Sequence, residues 1–193
     1  MDRSSLDSDG YKLESQIREA YGRVVYTFTC HNKIVQRLLK INNCIKIWQI
    51  ILSAFATGGF LTTIFYSEVV AGYIGALISV ILLILNAYTK DFDLSGKAES
   101  HQKAADQLWM IREEYISLLT DFDLLEASEI ISKRDDLQNK TAGVYNNSPR
   151  ADAKSYKAAQ KALKKEEEQT FSEKEIDVML PNSIRRENKN KSM

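Results

Sequence analysis

IWQIILSAFATGGFLTTIFYSEVVAGYIGALISVILLILNAYT, residues 47–89, decides the fold. These forty-three residues carry a single charged side chain, Glu68. As one straight helix they would reach about 65 Å, roughly twice the thickness of a bilayer's hydrocarbon core. The run must therefore fold back on itself. Two spans of about 31 Å each fit, residues 47–67 and 69–89, with the turn at Tyr66, Ser67 and Glu68. Uninterrupted apolar runs of this length are the mark of membrane helices, and two stand back to back here.

Outside this run the chain is polar. Of its 193 residues, 26 are Lys or Arg and 26 are Asp or Glu, a formal net charge of zero. A neutral chain has no bulk positive charge with which to bind nucleic acid, and direct nucleic-acid binding is not expected. Two prolines and eight glycines are too few breaks for a many-stranded sheet. The predicted class is all-α: a two-helix transmembrane hairpin flanked by long amphipathic helices. Lys33, Arg37, Lys40 and Lys46 precede the first span, and Lys90, Lys97 and Lys103 follow the second. The turn between the spans has neither residue type, so both termini are expected in the cytoplasm and Glu68 on the far side. No leader with a short apolar run and a small-residue cleavage site stands near Met1. Cys30 and Cys44, about 20 Å apart on one helix, cannot bridge, as suits a reducing compartment.

The chain divides into an amphipathic segment (1–46), the hairpin (47–89), a helical region (90–184) and a loose tail (185–193). In the first segment Leu13, Ile17, Ala20, Val24, Phe28, His31, Val35 and Leu38 recur at helical spacing, and residues 41–46 (INNCIK) join this helix to the first span. After a turn at Lys90–Gly96, Ala104, Leu108, Ile111, Tyr115, Leu118, Phe122 and Leu125 form a heptad stripe that requires a partner helix. The N-terminal helix is the nearest partner. Residues 126–147 continue as helix until Asn146-Asn-Ser-Pro149 breaks it. Residues 151–170 are helical by propensity but mostly solvated, with Tyr156, Ala159 and Leu163 the only apolar stripe. Ser172 and Glu175 form a capping box for a last short helix ending at Pro181.

Within the spans, small residues recur at contact spacing: Ala54 and Gly58 in the first, Gly72 and Ala76 or Gly75 and Ser79 in the second. One face of the first span carries Gln49, Ser53, Ala56, Phe60 and Thr63; one face of the second carries Gly72, Gly75, Ser79, Leu83 and Asn86. Two readings stand side by side. These faces pack within and between hairpins, or Asn86 and Ser79, or Gln49 and Ser53, line a water-filled conduit once several hairpins assemble. Catalytic chemistry has no motif to carry it. His31 and His101 are the only histidines, and no CxxC, HxxxH or HExxH spacing is present to hold a metal. Phosphate-cradling glycine loops are also lacking, and no cofactor is expected. His31 reads as a packing or polar-network residue, and Asp91 and Asp93 as caps of the turn before Gly96 or as a cation-gathering pair.

The run Asn86-Ala-Tyr-Thr-Lys-Asp-Phe-Asp-Leu-Ser-Gly-Lys-Ala-Glu-Ser-His-Gln-Lys-Ala-Ala, followed by Leu108-Trp-Met-Ile-Arg-Glu-Glu-Tyr-Ile-Ser-Leu-Leu-Thr-Asp-Phe122, resembles the SLATT family of bacterial two-transmembrane effectors. Ile131-Ser-Lys-Arg-Asp-Asp-Leu137, Pro149 and Phe171-Ser-Glu-Lys-Glu-Ile-Asp-Val-Met-Leu-Pro181 are similar to the C-terminal half of one subfamily. The resemblance implies a non-enzymatic effector of phage defence in the bacterial inner membrane. It would oligomerise and breach the bilayer when a separate activator (a nucleotide synthetase, a sensor or a reverse transcriptase) fires. A membrane anchor whose cytosolic helices recruit a partner is the alternative.

Overall fold

The structure is a computed structural model that describes residues 3–66, 69–181 and 184–185, with side chains from Gly10 onward except Tyr66. The turn at Ser67 and Glu68, the side chain of Tyr66 and the tail from residue 186 lie outside the described residues. Every regular element is helical: α1 (Arg3–Tyr66), α2 (Val69–Phe92), α3 (Leu94–Thr120), a 3₁₀ turn (Phe122–Leu124), α4 (Ala127–Asn147), α5 (Ala153–Lys164) and α6 (Glu173–Met179).

Helix α1 is a single rod of 64 residues, about 96 Å long. The join expected at residues 41–46 does not exist. Asn42 and Asn43 are indifferent helix formers, but isolated residues of that kind do not break a helix already propagating on both sides. Asn42 is buried in the rod, and Ile45 is half-buried. The second expected turn shrinks as well. Helix α2 runs on through Lys90 to Phe92, and one residue, Asp93, separates it from α3. Asp93 adopts a left-handed conformation (φ 35°, ψ 61°), and its Oδ1 accepts the backbone N–H of Gly96 at 2.9 Å, capping α3. A Cβ on Gly96 would lie 2.1 Å from Asp93 Oδ2, so this cap requires glycine three residues on. Asp91 is exposed in the last turn of α2.

Below the hairpin, α3 runs back antiparallel along the N-terminal half of α1, and α4 returns parallel to α1. Arg134 Nη1 donates to Gln16 Oε1 (3.0 Å), and Thr27 and Tyr145 share a hydroxyl hydrogen bond (3.2 Å); both pairs are offset by 118 residues, as parallel helices in register demand. Ile17, Val24 and Phe28 of α1 meet Ala104, Leu108, Ile111, Tyr115 and Leu118 of α3 and Ile130, Leu137 and Val144 of α4 in one core. The stripes on α1 and α3 thus find each other as expected. Phe122 departs from that expectation in one respect: α3 ends at Thr120, so Phe122 sits in the 3₁₀ turn and packs half-buried against the core.

Helix α5 lies on the other side of α1, and its contact face shares only Ala159 fully with the expected Tyr156, Ala159, Leu163 stripe. Ser155, Ala159 and Ala162 are buried, while Tyr156 is exposed. Three small side chains at spacings of four and three let α5 come close to α1. Its first turn is pinned twice by Asp152, which accepts the Ser155 N–H (2.7 Å) and ion-pairs with Arg37. The helix stops at Lys164 rather than near residue 170. Glu167 and Gln169 adopt positive φ (51° and 88°), and Glu168 pairs with Lys33 of α1 at 2.7 Å. The capping box of α6 forms as expected, Ser172 and Glu175 each accepting the other's backbone N–H.

Candidate functional site

Three glycines set the seam between the two spans. A Cβ on Gly59 would lie 3.0 Å from the backbone oxygen of Ala71 and 3.5 Å from Gly75 Cα. One on Gly75 would lie 3.4 Å from the backbone oxygen of Ala56, and one on Gly72 would lie 3.0 Å from Thr63 Oγ1. The helices therefore approach backbone to backbone where no hydrophobic force drives them together, as small residues permit. Gly75 is buried, and Gly72 is half-buried. The pair Ala54 and Gly58 is not part of this seam. Ala54 is exposed and a Cβ on Gly58 would meet nothing within 4 Å, because the face turned to α2 passes through Gln49, Leu52, Ala56, Gly59 and Thr63.

At the bundle end of the seam, Gln49 Nε2 donates to Asn86 Oδ1 at 2.9 Å. In hydrocarbon two unpaired amides cost several kcal/mol, so this bond ties α1 to α2 where the spans leave the bilayer. The hydroxyls solve the same problem locally. Thr57 donates to Ser53 O, Thr62 to Gly58 O, Thr63 to Gly59 O and Ser79 to Gly75 O, at 2.8–3.0 Å. A hydroxyl bonded to its own preceding turn can face lipid without an orphaned donor. Ser53 and Leu83 point outward and Phe60 is largely exposed at the rim of the seam, so the polar faces drawn from composition alone coincide with the seam only in part. Between the spans a cavity of about 390 Å³ is lined by Thr57, Phe60, Thr63, Gly72, Gly75 and Ser79, among others.

Both spans continue directly into the bundle, and two buried side chains tie them there. His31 of α1 and His101 of α3 face each other Nδ1 to Nδ1 at 2.9 Å, both nearly excluded from solvent. Burial, and then the neighbouring His101, pushes His31 down to about 4; burial likewise lowers His101, with Asp152 opposing and Arg37 reinforcing the shift. The pair is thus neutral at ordinary pH, one ring donating and the other accepting. Cys30 beside it is pushed up to about 11 by burial and stays a thiol. Asp152 is held down at about 2 by the Arg37 guanidinium and the Ser155 N–H. Sequence spacing carried no sign of this pair, since its members stand 70 residues apart.

Farther along α3, Arg112 lies off the heptad stripe. It is buried rather than solvated, its guanidinium lying 4.5 Å from the Trp109 ring centre and 2.9 Å from Glu113. The Trp109 ring in turn touches Phe28 of α1 (centroids 5.5 Å apart). A cation over an aromatic face recovers part of the cost of leaving water. Leu108, Ile111, Tyr115 and Leu118 fill the core as the stripe predicts. Among the described residues no group of three or more His, Cys, Asp or Glu is arranged to hold a metal ion.

These features define a membrane protein built as a two-span hairpin seated on its own helical bundle, with α1 running through both the seam and the bundle. Residues 13–175 match the family described as SMODS and SLOG-associating 2TM effector domain family 4, and the chain belongs to that family. The match runs from the first bundle helix through both spans to the start of α6, so the bundle is part of the effector domain and not an appendage. No curated protein and no solved structure matches the chain.

Proposed function

We propose that this chain is a defence effector of the bacterial inner membrane that assembles as a homo-oligomer and opens or disrupts the bilayer when a separate activator engages it. Lys and Arg concentrate at the bundle end of the spans, which supports both termini lying in the cytoplasm. The observation that carries the reading is the Gln49–Asn86 hydrogen bond at the mouth of a glycine-lined seam. In the resting protomer these amides satisfy each other. In an assembly, water in a shared conduit would satisfy them instead, so the exchange costs little once hairpins gather. An activator can drive it only by binding the two arrangements with different affinity. Membership of an effector-domain family associated with SMODS and SLOG proteins supports the separate activator.

The test is membrane potential and propidium uptake in bacteria after induced expression, with and without the neighbouring gene. A Ser79→Leu/Asn86→Leu variant at equal membrane level runs beside the wild type. Depolarisation that the variant abolishes is the expected result. Depolarisation that survives the variant keeps the effector and removes this lining. No depolarisation under any trigger, with partner recruitment intact, replaces the reading with a membrane anchor for a cytosolic partner.

A further inference from the structure

A wide cleft lies outside the seam. It has a volume of about 840 Å³ and sits between α1, the last turn of α4, the link at residues 148–151 and α5. Its size falls in the range of small-molecule sites. Three tyrosines form its walls. Tyr26 stands 4.8 Å from Tyr156, ring centre to ring centre, and its hydroxyl reaches the Tyr156 carbonyl at 3.4 Å; Tyr145 is held by Thr27 at 3.2 Å. The rings are therefore fixed on three different elements around one space.

Charge in the cleft is one-sided. Arg23 and Arg150 line it against a single acid, Glu19, which Arg23 already engages along α1. Arg150 makes no hydrogen bond or ion pair with any described residue, which leaves a five-donor fork free at the mouth. The Arg23–Glu19 pair is largely exposed, so Arg23 is released at little cost.

Gly22 supplies an independent observation. It lies in the interior of α1, where glycine costs about 1 kcal/mol relative to alanine. No packing demands it, since a Cβ there would meet nothing within 4 Å. What a side chain at position 22 would enter is the cleft.

We propose that this cleft binds a small aromatic anion, a planar ring bearing one phosphate or carboxylate. The rings and the Gly22 gap take the planar part, and Arg150 with Arg23 takes the charge in a bidentate manner. Such a ligand bridges α1 to the α4–α5 link, on the same unbroken helix that crosses the membrane about 32 Å farther on. The inference does not depend on whether hairpins assemble.

Isothermal titration of the full chain in lipid nanodiscs tests it with two probes, adenosine monophosphate and indole-3-acetate. Each is compared with its uncharged counterpart, adenosine or indole-3-acetamide, and with inorganic phosphate. At least one probe should bind with Kd below about 1 mM, and its counterpart and bare phosphate at least about tenfold more weakly. Which probe binds distinguishes phosphate from carboxylate. Gly22→Leu, which fills the gap with a good helix former, and Arg150→Gln should each weaken binding about tenfold, whereas Lys161→Gln on the outer face of α5 should not. Gly22→Ala, a smaller intrusion, should fall between Gly22→Leu and wild type and guards against a fold defect. Absence of binding by both probes at about 1 mM overturns the proposal, as does an affinity that Gly22→Leu leaves unchanged.

Discussion

Acid should loosen the bundle at one identifiable place, the His31–His101 contact between α1 and α3. A histidine free in the unfolded chain titrates near 6.5, whereas His31 in the fold titrates at about 4. Below about pH 6.5 the unfolded chain therefore binds protons that the folded chain refuses, so stability falls as pH falls through this window and is complete above it. Integrating between these two values, the loss from His31 alone is about 2 kcal/mol by pH 5 and tends to about 3 kcal/mol below pH 4. His101 shifts in the same direction and adds to it. The geometry gives the reason: two Nδ1 atoms at 2.9 Å need one bare lone pair between them, and protonating both rings sets two N–H groups face to face in a dry site. The surrounding charges do not erase the effect, because Asp152 and Arg37 are paired with each other and Cys30 is neutral. Thermal unfolding by circular dichroism, in detergent at pH 7.5 and at pH 5, reads the loss directly. Wild type should drop by about 4–8 °C more than a His31→Gln/His101→Gln variant, whose side chains cannot titrate. Parallel losses in the two proteins would refute the argument.

Two further outcomes follow from close approaches in the backbone. Gly59→Leu must push Ala71 and Gly75 away and should destabilise the hairpin by about 1–3 kcal/mol, while Gly58→Leu, one residue earlier and facing open space, should be silent; thermal melts of the two variants in one detergent decide it. Asp93→Ala removes a cap from a left-handed position and should cost about 1–2 kcal/mol, more than Asp93→Gly, which keeps the backbone relaxed; amide exchange in the first turn of α3 should rise in that order.

Much of this architecture is legible in the chain because it rests on two strong periodic signals. An apolar run too long for one span forces the hairpin, and the heptad stripe from Ala104 to Leu118 forces a partner helix. Local breaks were less legible. Asn42-Asn43 reads as a join and Lys90–Gly96 as a turn, yet helix propagates through the first and needs only Asp93 in the second, because a left-handed residue with a glycine three places on is enough to redirect the chain. The face of α5 was misread for a chemical reason. Ser155, Ala159 and Ala162 carry too little apolar surface to register as a stripe, although smallness is what the contact with α1 uses. His31 reads as a packing or polar-network residue, but only the fold supplies its partner imidazole on α3, and the burial of Arg112 is hidden because its charge predicts solvent and the Trp109 face beside it is not read from spacing.

The continuity of α1 has a mechanical consequence that residue patterns alone do not convey. A hairpin joined to its bundle by flexible linkers could turn within the bilayer while the bundle stayed still. Here α1 passes without interruption from the Ile17–Phe28 core to Gly59, and α2 reaches α3 through the single residue Asp93. Rotating Gln49 away from Asn86 therefore turns the same rod that carries His31, Cys30 and the α5 contact, and one residue of slack on the α2 side cannot absorb it. The polar seam in the membrane and the buried pair below it are alternative handles on one rigid body. A substitution at His31 and a substitution at Gln49 should accordingly show non-additive effects on stability despite their separation of about 27 Å along the helix, whereas two sites joined by a flexible linker at that distance would add.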